Sequence, residues 1–434
     1  MKVFTQEVFI PKKELDLKGL GDLQRFYETR LRSVFPPQHR VLRFVITETN
    51  TEGYRCEFDL IVSEKEETSP LFSQKSSIFD FRRRSFESTD KFTAVLLIPT
   101  GIGADIGGHC GDGNAVARLI AAACDTLITH PNVVNASDIN EMTENTLYVE
   151  GSIVTRLLMG QIGLQPVRSN RMLVLMDKHS EKFFNDEIIN AVSSARITLG
   201  IDCDVYEMGD GTKSLSRYSE SGRAVGEIYS IEKIFEVIEK FKSKYDVVAL
   251  STFIKVPEYF HEKYFHDEEM VNPWGGVEAM LTHSIAELFN IPCAHSPMMT
   301  SGEIMDIKLG VVDPRKAPES ASTTYLHCIL KGLHRAPRVV NSSEGVTLED
   351  ISCVIIPDGC VGLPILSCME NGIPIIAVRE NKNNMKNNLQ DFPFQRKNLF
   401  IVDNYLEAVG IMTSLKAGVS PQAVRRPIKY TKIL

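Results

Sequence analysis

The sequence predicts an α/β fold: mainly parallel, Rossmann-like sheets with helices on both faces, plus a small N-terminal α+β domain. Two observations carry this. From Lys91 onward short apolar runs alternate with stretches of helical periodicity, as βα units require. Residues 1–90 instead combine one amphipathic stretch with two runs rich in β-branched and aromatic residues. The expected organisation is a small α+β domain and linker over 1–90 and a Rossmann-like region over 91–434. That region divides into two lobes, about 91–200 with 340–434, and about 201–339.

The elements follow in order. Leu20 to Val34 reads as a helix, and Val41 to Thr47 and Tyr54 to Val62 as strands paired around the turn Asn50-Thr-Glu-Gly53. Ser69 to Asp90, polar and containing Arg82-Arg83-Arg84, reads as a linker or solvated loop. Strands are then expected at Ala94 to Pro99, Thr126 to Thr129, Met172 to Met176, Val247 to Ser251, Cys353 to Pro357, Ile373 to Val378 and Leu399 to Val402. Apolar residues at three-and-four spacing place helices between them, at Ala115 to Cys124, Asn185 to Leu199, Ile231 to Lys242, Val277 to Phe289, Thr323 to Leu333, Leu363 to Asn371 and Asn404 to Leu415.

Composition removes several function classes. With 48 Lys+Arg against 56 Asp+Glu the formal charge is −8, opposite to the basic surplus of a general nucleic-acid binder. The longest apolar runs are far shorter than the roughly 18 to 20 residues a bilayer span needs. Met1 to Glu7 lacks the apolar stretch of a secretory signal. The nine cysteines include no CxxC pair, so reduced thiols in a cytoplasm are expected, without structural zinc. No metal site is expected from His109, His130, His283 and His295, and a homo-oligomer is the default for a large α/β enzyme.

The segment Pro99-Thr-Gly-Ile-Gly-Ala-Asp-Ile-Gly-Gly-His-Cys-Gly-Asp-Gly-Asn114 sets six glycines between a strand and a helix. Glycine at such density suits positive φ or close approach of a ligand to the backbone. It is no P-loop, because His109 stands where the phosphate lysine should be. Gly101, Gly103 and Gly107 approach a dinucleotide fingerprint, and the following helix would aim its N-terminus at an anion. The loop therefore has three readings: a nucleotide site, a site for another small anion, or a structural turn. Asp105 and Asp112 oppose a pyrophosphate, and Asp112 alternatively caps the helix. In the nucleotide reading Gly101, Gly103, Gly107, Gly108, His109, Asp112 and Asn114 bind NAD, with Asn132 at the ribose.

Ligands of open parallel sheets bind beyond the carboxyl ends of strands, which places Thr129-His130-Pro-Asn132-Val-Val-Asn135 at the same crevice, with Glu150 closing it. His130 is a candidate for proton transfer, since histidine titrates near neutrality. Gly275 and Gly276 open a helix carrying Glu278 and His283, five apart and so not an HExxH pair. His295 follows at another strand end. The candidate catalytic residues are His130, His295 and Glu278. Asn135, Glu150, Gly275, Gly276, Asp358 and Arg379 are candidates for the substrate, Arg379 as a carboxylate or phosphate holder. Cys360, near a helix start, is read as a structural thiol.

These strings, together with Tyr148-Val-Glu-Gly151, Gly276-Val-Glu-Ala279 and Pro292-Cys-Ala-His295, resemble an uncharacterised bacterial family, domain of unknown function 3326, over about 91–338. Asn114 to Ile120, Thr126 to Asn135 and Leu147 to Gly151 are also similar to the NAD-binding domain of the lysine-ketoglutarate-reductase/saccharopine-dehydrogenase-like type in some ornithine cyclodeaminases. That resemblance implies NAD as cofactor. The amino-terminal motif with Cys and paired threonines found in those enzymes is absent from residues 1–90.

The functional expectation is a small-molecule enzyme, an oxidoreductase or lyase, binding NAD or another nucleotide and acting on a carboxylate-bearing, amino-acid-like substrate. A glycosyltransferase-like transferase, suggested by Asp358 to Gly362 and Gly372 to Val378, and a non-catalytic ligand-binding regulator are the alternatives.

Overall fold

The structure is a computed structural model describing residues 1–63, 76–209, 211–257, 259–299, 309–320, 324–392 and 398–433. Its strands, in chain order, are β1 Lys2–Pro11, β2 His39–Thr49, β3 Gly53–Val62, β4 Thr93–Leu96, β5 Thr126–Thr129, β6 Thr146–Tyr148, β7 Ile162–Gln165, β8 Arg171–Asp177 and β9 Asp202–Met208. There follow β10 Lys213–Tyr218, β11 Ala224–Tyr229, β12 Val247–Lys255, β13 Cys293–Met298, β14 Arg338–Asn341, β15 Ile351–Pro357, β16 Val361–Gly362, β17 Ile375–Val378 and β18 Leu399–Val402.

Six of these form a wholly parallel sheet in the order β18-β17-β15-β4-β5-β6. The chain winds outward from β4 through β5 to β6, returns to the centre, and winds the other way from β15 through β17 to β18. β4, β15 and β17 are buried along their whole length, as continuous apolar strands between helical layers should be.

The second sheet is mixed, in the order β16-β2-β3-β1-β11-β10-β12-β8-β9, with β13 also pairing β12. Within it β13, β12, β8 and β9 run parallel, while β1, β2 and β3 are antiparallel. The expected hairpin closes at Asn50, whose Oδ1 accepts the N–H groups of Glu52 and Gly53 at 2.9 and 3.0 Å.

Two expectations need revision. The N-terminal strands are no separate sheet, because β1 pairs with β11 and β2 with β16. β8, from residue 171, pairs with β12 and β9 in the mixed sheet, beside strands expected in the second lobe. The stretch before β4 is strapped down. Arg82 holds Glu349 through two bonds of 2.5 and 2.8 Å, Arg83 pairs with Glu370 at 2.6 Å, and Arg84 donates to the Ile351 carbonyl. Residues 69–75 of that stretch, and the Thr323 start of one expected helix, lie outside the described residues. Leu20 to Val34 is helical throughout, but Tyr27–Leu31 widens to a π turn.

Candidate active site

The glycine loop follows β4. Gly101, Gly103, Gly107 and Gly111 all have positive φ, from 65 to 77°. The need for glycine comes from close packing: a Cβ on Gly107 would lie 2.7 Å from Ile98 Cδ1 and one on Gly108 2.0 Å from the Ala104 carbonyl, within the loop, while one on Gly111 would lie 1.9 Å from Ala136 Cβ beyond it. Several of the loop's amides are already engaged by protein groups. Ile106 N–H donates to Asn381, Gly107 N–H to Asp112 and Cys110 N–H to Glu319, at 2.9, 2.8 and 2.7 Å.

Asp112 therefore folds back onto the loop rather than capping the helix, which starts at Asn114 with no side-chain cap. Burial pushes the Asp112 carboxyl up to about 8. His109 is buried against Tyr264, 2.9 Å from its hydroxyl, and burial pulls it down to about 3. Asn114 bonds the Gly111 carbonyl. Gly101, Gly103, Gly107, Gly108, His109, Asp112 and Asn114 thus build a closed turn, and none of them lines either of the cavities found beside it.

A cavity of about 680 Å³ lies where strand ends from the two sheets face each other. From the parallel sheet come Thr100, beyond β4, and His130, Asn132 and Asn135, beyond β5; from the mixed sheet come Ile254 at the end of β12 and His295 and Pro297 on β13. The Gly275–Phe289 helix contributes Gly275 and Glu278. Gly276 lets that helix sit on β11, since a Cβ there would lie 1.9 Å from the Ala224 carbonyl.

Glu278 and His295 form a pair. His295 Nδ1 lies 3.2 Å from Glu278 Oε1, and its Nε2 lies 2.9 Å from the Thr252 hydroxyl. With Nδ1–H donating to the carboxylate, Nε2 accepts from Thr252, which holds the imidazole in one tautomer. The His295 side chain is 1% exposed and that of Glu278 25%, so the carboxylate is the group that reaches the cavity.

His130 accepts the Ile98 N–H at Nε2, 3.1 Å away. Burial, with His283 nearby, lowers it to about 4, so at neutral pH the ring is uncharged and carries its proton on Nδ1. Asn132 ties the loop down by donating to the Ile98 and Gly107 carbonyls, and Asn135 accepts from Tyr148. Glu150 caps the Gly151–Leu158 helix and also meets Thr282 and His283, the latter at 3.2 Å.

Sequence reasoning missed Glu319. Its Oε1 accepts from Cys110 N–H, the Tyr264 hydroxyl and Asn272 at 2.7, 2.8 and 3.4 Å, and burial pushes the carboxyl up to about 7. Thr252 and Trp274, the single tryptophan of the chain, were also missed. No local pattern marks any of the three.

Two substrate candidates stand elsewhere. Arg379 is 57% exposed and paired with Asp403, and Asp358 accepts its neighbour Gly359 N–H; neither lines the cavity. Cys360 is buried, its thiol pushed up by burial. A second cavity of about 150 Å³, lined in part by Leu42, Leu97, Arg43 and Arg223, shares Thr100, His130 and His283 with the first and has Gly276 on its wall. Among the described residues no group of three or more His, Cys, Asp or Glu is placed to hold a metal ion.

Residues 93–425 match the family described as protein of unknown function (DUF3326). The chain belongs to that family. The match runs well beyond residue 338 and takes in β15, β17 and β18, so both halves of the parallel sheet lie within it. A Synechococcus protein named as an uncharacterized lipoprotein is 33% identical over 341 residues, covering 76% of this chain and 93% of the relative. No solved structure matches. Among the described residues no helix is long and apolar enough to cross a membrane.

Proposed function

We propose that the larger cavity is the active site of an enzyme that moves a proton at carbon beside a carbonyl group, giving isomerisation or, with a leaving group in place, elimination. Glu278 is the base. It takes the proton, the C–H electron pair becomes a carbon–carbon double bond, and the carbonyl electrons pass to oxygen. His130 donates its Nδ1–H to that oxygen as charge develops there, a task suited to a neutral imidazole. His295, fixed by Thr252, is a positioning residue that holds the carboxylate. Returning the proton to the substrate completes the cycle.

The observation that carries this reading is the Glu278–His295–Thr252 chain opening, at its carboxylate end, into the cavity that His130 also lines. The strand order of the parallel sheet, with its reversal between β4 and β15, supports a Rossmann-like description, and the cavity adjoins strand ends on one side of that reversal. Three amides of the glycine loop serve Asp112, Asn381 and Glu319 and are not free for a dinucleotide phosphate, which weighs against that ligand there. No step is therefore routed through NAD. Nine unpaired thiols support a cytoplasmic setting.

The test is to incubate a bacterial metabolite extract with the purified protein and with Glu278→Gln, and to follow every species by mass and chromatographic retention, so that isomers of equal mass are separated. Wild type should consume at least one metabolite that the variant leaves untouched. Identical profiles for wild type, variant and a protein-free control would overturn the proposal.

A further inference from the structure

The substrate class of this cavity can be read from its charge. Its described lining includes four carboxylate side chains, Asp138, Glu150, Glu278 and Glu319, and neither lysine nor arginine. His130 and His283 do not compensate, since burial lowers both and keeps them uncharged. Glu150 is engaged by a helix N-terminus and His283, and Asp138 accepts the His327 N–H at 3.3 Å; Glu278 and Glu319 are the remaining acidic groups of the lining. Three aromatic side chains, Phe265, Trp274 and Tyr325, complete the wall. A basin of negative potential walled by aromatic faces selects cations, through charge and through the ring quadrupoles.

We infer that the substrate carries a cationic amine, seated on Glu319 between Trp274 and Tyr325, while its carbonyl end meets Glu278 and His130. The inference rests on the proposed active site and names its substrate class. It replaces the carboxylate-bearing substrate expected from Arg379, which stands outside the cavity. Tyr325 supports the assignment. It holds φ of 50°, a left-handed conformation costly for an aromatic residue, and its hydroxyl donates to the Glu319 backbone carbonyl at 2.8 Å, which fixes the ring beside that residue.

Glu319 is faced by Cys110, Tyr264 and Asn272, which bond it, by Tyr325, by Glu278 and Asp112, which hinder its ionisation, and by the buried ammonium of Lys316, which favours it. An arriving ammonium adds a second cation and drives the proton off. Amine affinity should therefore rise with pH through about 7.

Trp274 reports on the cavity directly, because its fluorescence is the only tryptophan signal in the chain. The experiment is a fluorescence titration with n-butylammonium, 1-butanol and butyrate at constant ionic strength, at pH 6 and pH 8. Butylammonium should saturate at a concentration about tenfold below butanol, the worth of one modest charge-assisted contact, and should bind more tightly at pH 8. Butyrate should leave the signal unchanged. Glu319→Gln, which keeps the acceptor oxygen and the fold, should weaken the amine about tenfold and remove the pH effect. Saturation by butyrate at or below the amine's concentration, no saturation by the amine, or an unchanged amine affinity in Glu319→Gln would overturn the inference. Amine binding with no metabolite consumed would uphold it and remove the catalytic reading; consumption of amine-free metabolites alone would do the reverse.

Discussion

At the scale of single residues the account depends on where protons sit. Glu278→Gln keeps the shape of the carboxylate and cannot accept a proton, so turnover should fall by about 10² to 10⁴ with the melting temperature little changed. His130→Asn should cost about 10² to 10³, as loss of one donor to a developing oxyanion does. Because His130 is neutral above about 4, it should impose no loss of activity between pH 5 and 8, which a pH–rate profile checks. Asp112 gives a stability prediction of defined sign. Its carboxyl is raised in the fold from an ordinary value near 4 to about 8, so the folded chain holds a proton that the unfolded chain has lost. Its contribution is complete below about pH 4 and declines as pH rises through 8. Thermal melts should show Asp112→Asn gaining on wild type between pH 5 and pH 9, and a difference independent of pH would contradict the assignment. That His130, Glu278 and His295 share one cavity was legible in the sequence, because polar residues stranded at strand ends and helix starts have few structural uses. Glu319, Thr252 and Trp274 were not, because each owes its position to a contact made across the fold, such as Glu319 with Cys110, 209 residues away.

At the scale of elements, glycines are the sensitive points. Gly276→Ala would drive a methyl group into the Ala224 carbonyl and push the Gly275–Phe289 helix off β11, at about 2 to 4 kcal/mol, and the melt should shift down accordingly. The shift should carry a loss of activity, since Glu278 rides on that helix. Arg82→Ala should loosen the strap before β4 by removing both bonds to Glu349. The buried strands β4, β15 and β17 were readable as apolar runs, and the long helices as three-and-four periodicities. β9 and β10 escaped because exposed charged residues, such as Asp202, Asp204, Lys213 and Arg217, interrupt them, and β11 because Gly226 and Glu227 break its short apolar run, so neither a run nor a clean alternation marks them. The glycine loop reads ambiguously for a related reason: density of glycine signals an unusual backbone, and closing a turn on itself demands that as strongly as seating a phosphate does.

For the whole molecule, two sheets that a linear reading keeps apart meet at one cavity. β1 is wedged between β3 and β11, so removing residues 1–90 would expose β11 as an edge and strip β16 of its partner. The remaining chain should show no cooperative thermal transition, and retention of one would mean that the N-terminal strands are dispensable. The account's central claim is that proton transfer happens in the cavity between the sheets and not at the glycine loop or the Arg379 edge. The most direct test is uptake of solvent deuterium into carbon when a metabolite extract is treated in heavy water with wild type, Glu278→Gln or Arg379→Ala. The account predicts uptake into an amine-bearing metabolite with wild type and Arg379→Ala and none with Glu278→Gln; uptake that survives in Glu278→Gln, or vanishes in Arg379→Ala, would contradict it.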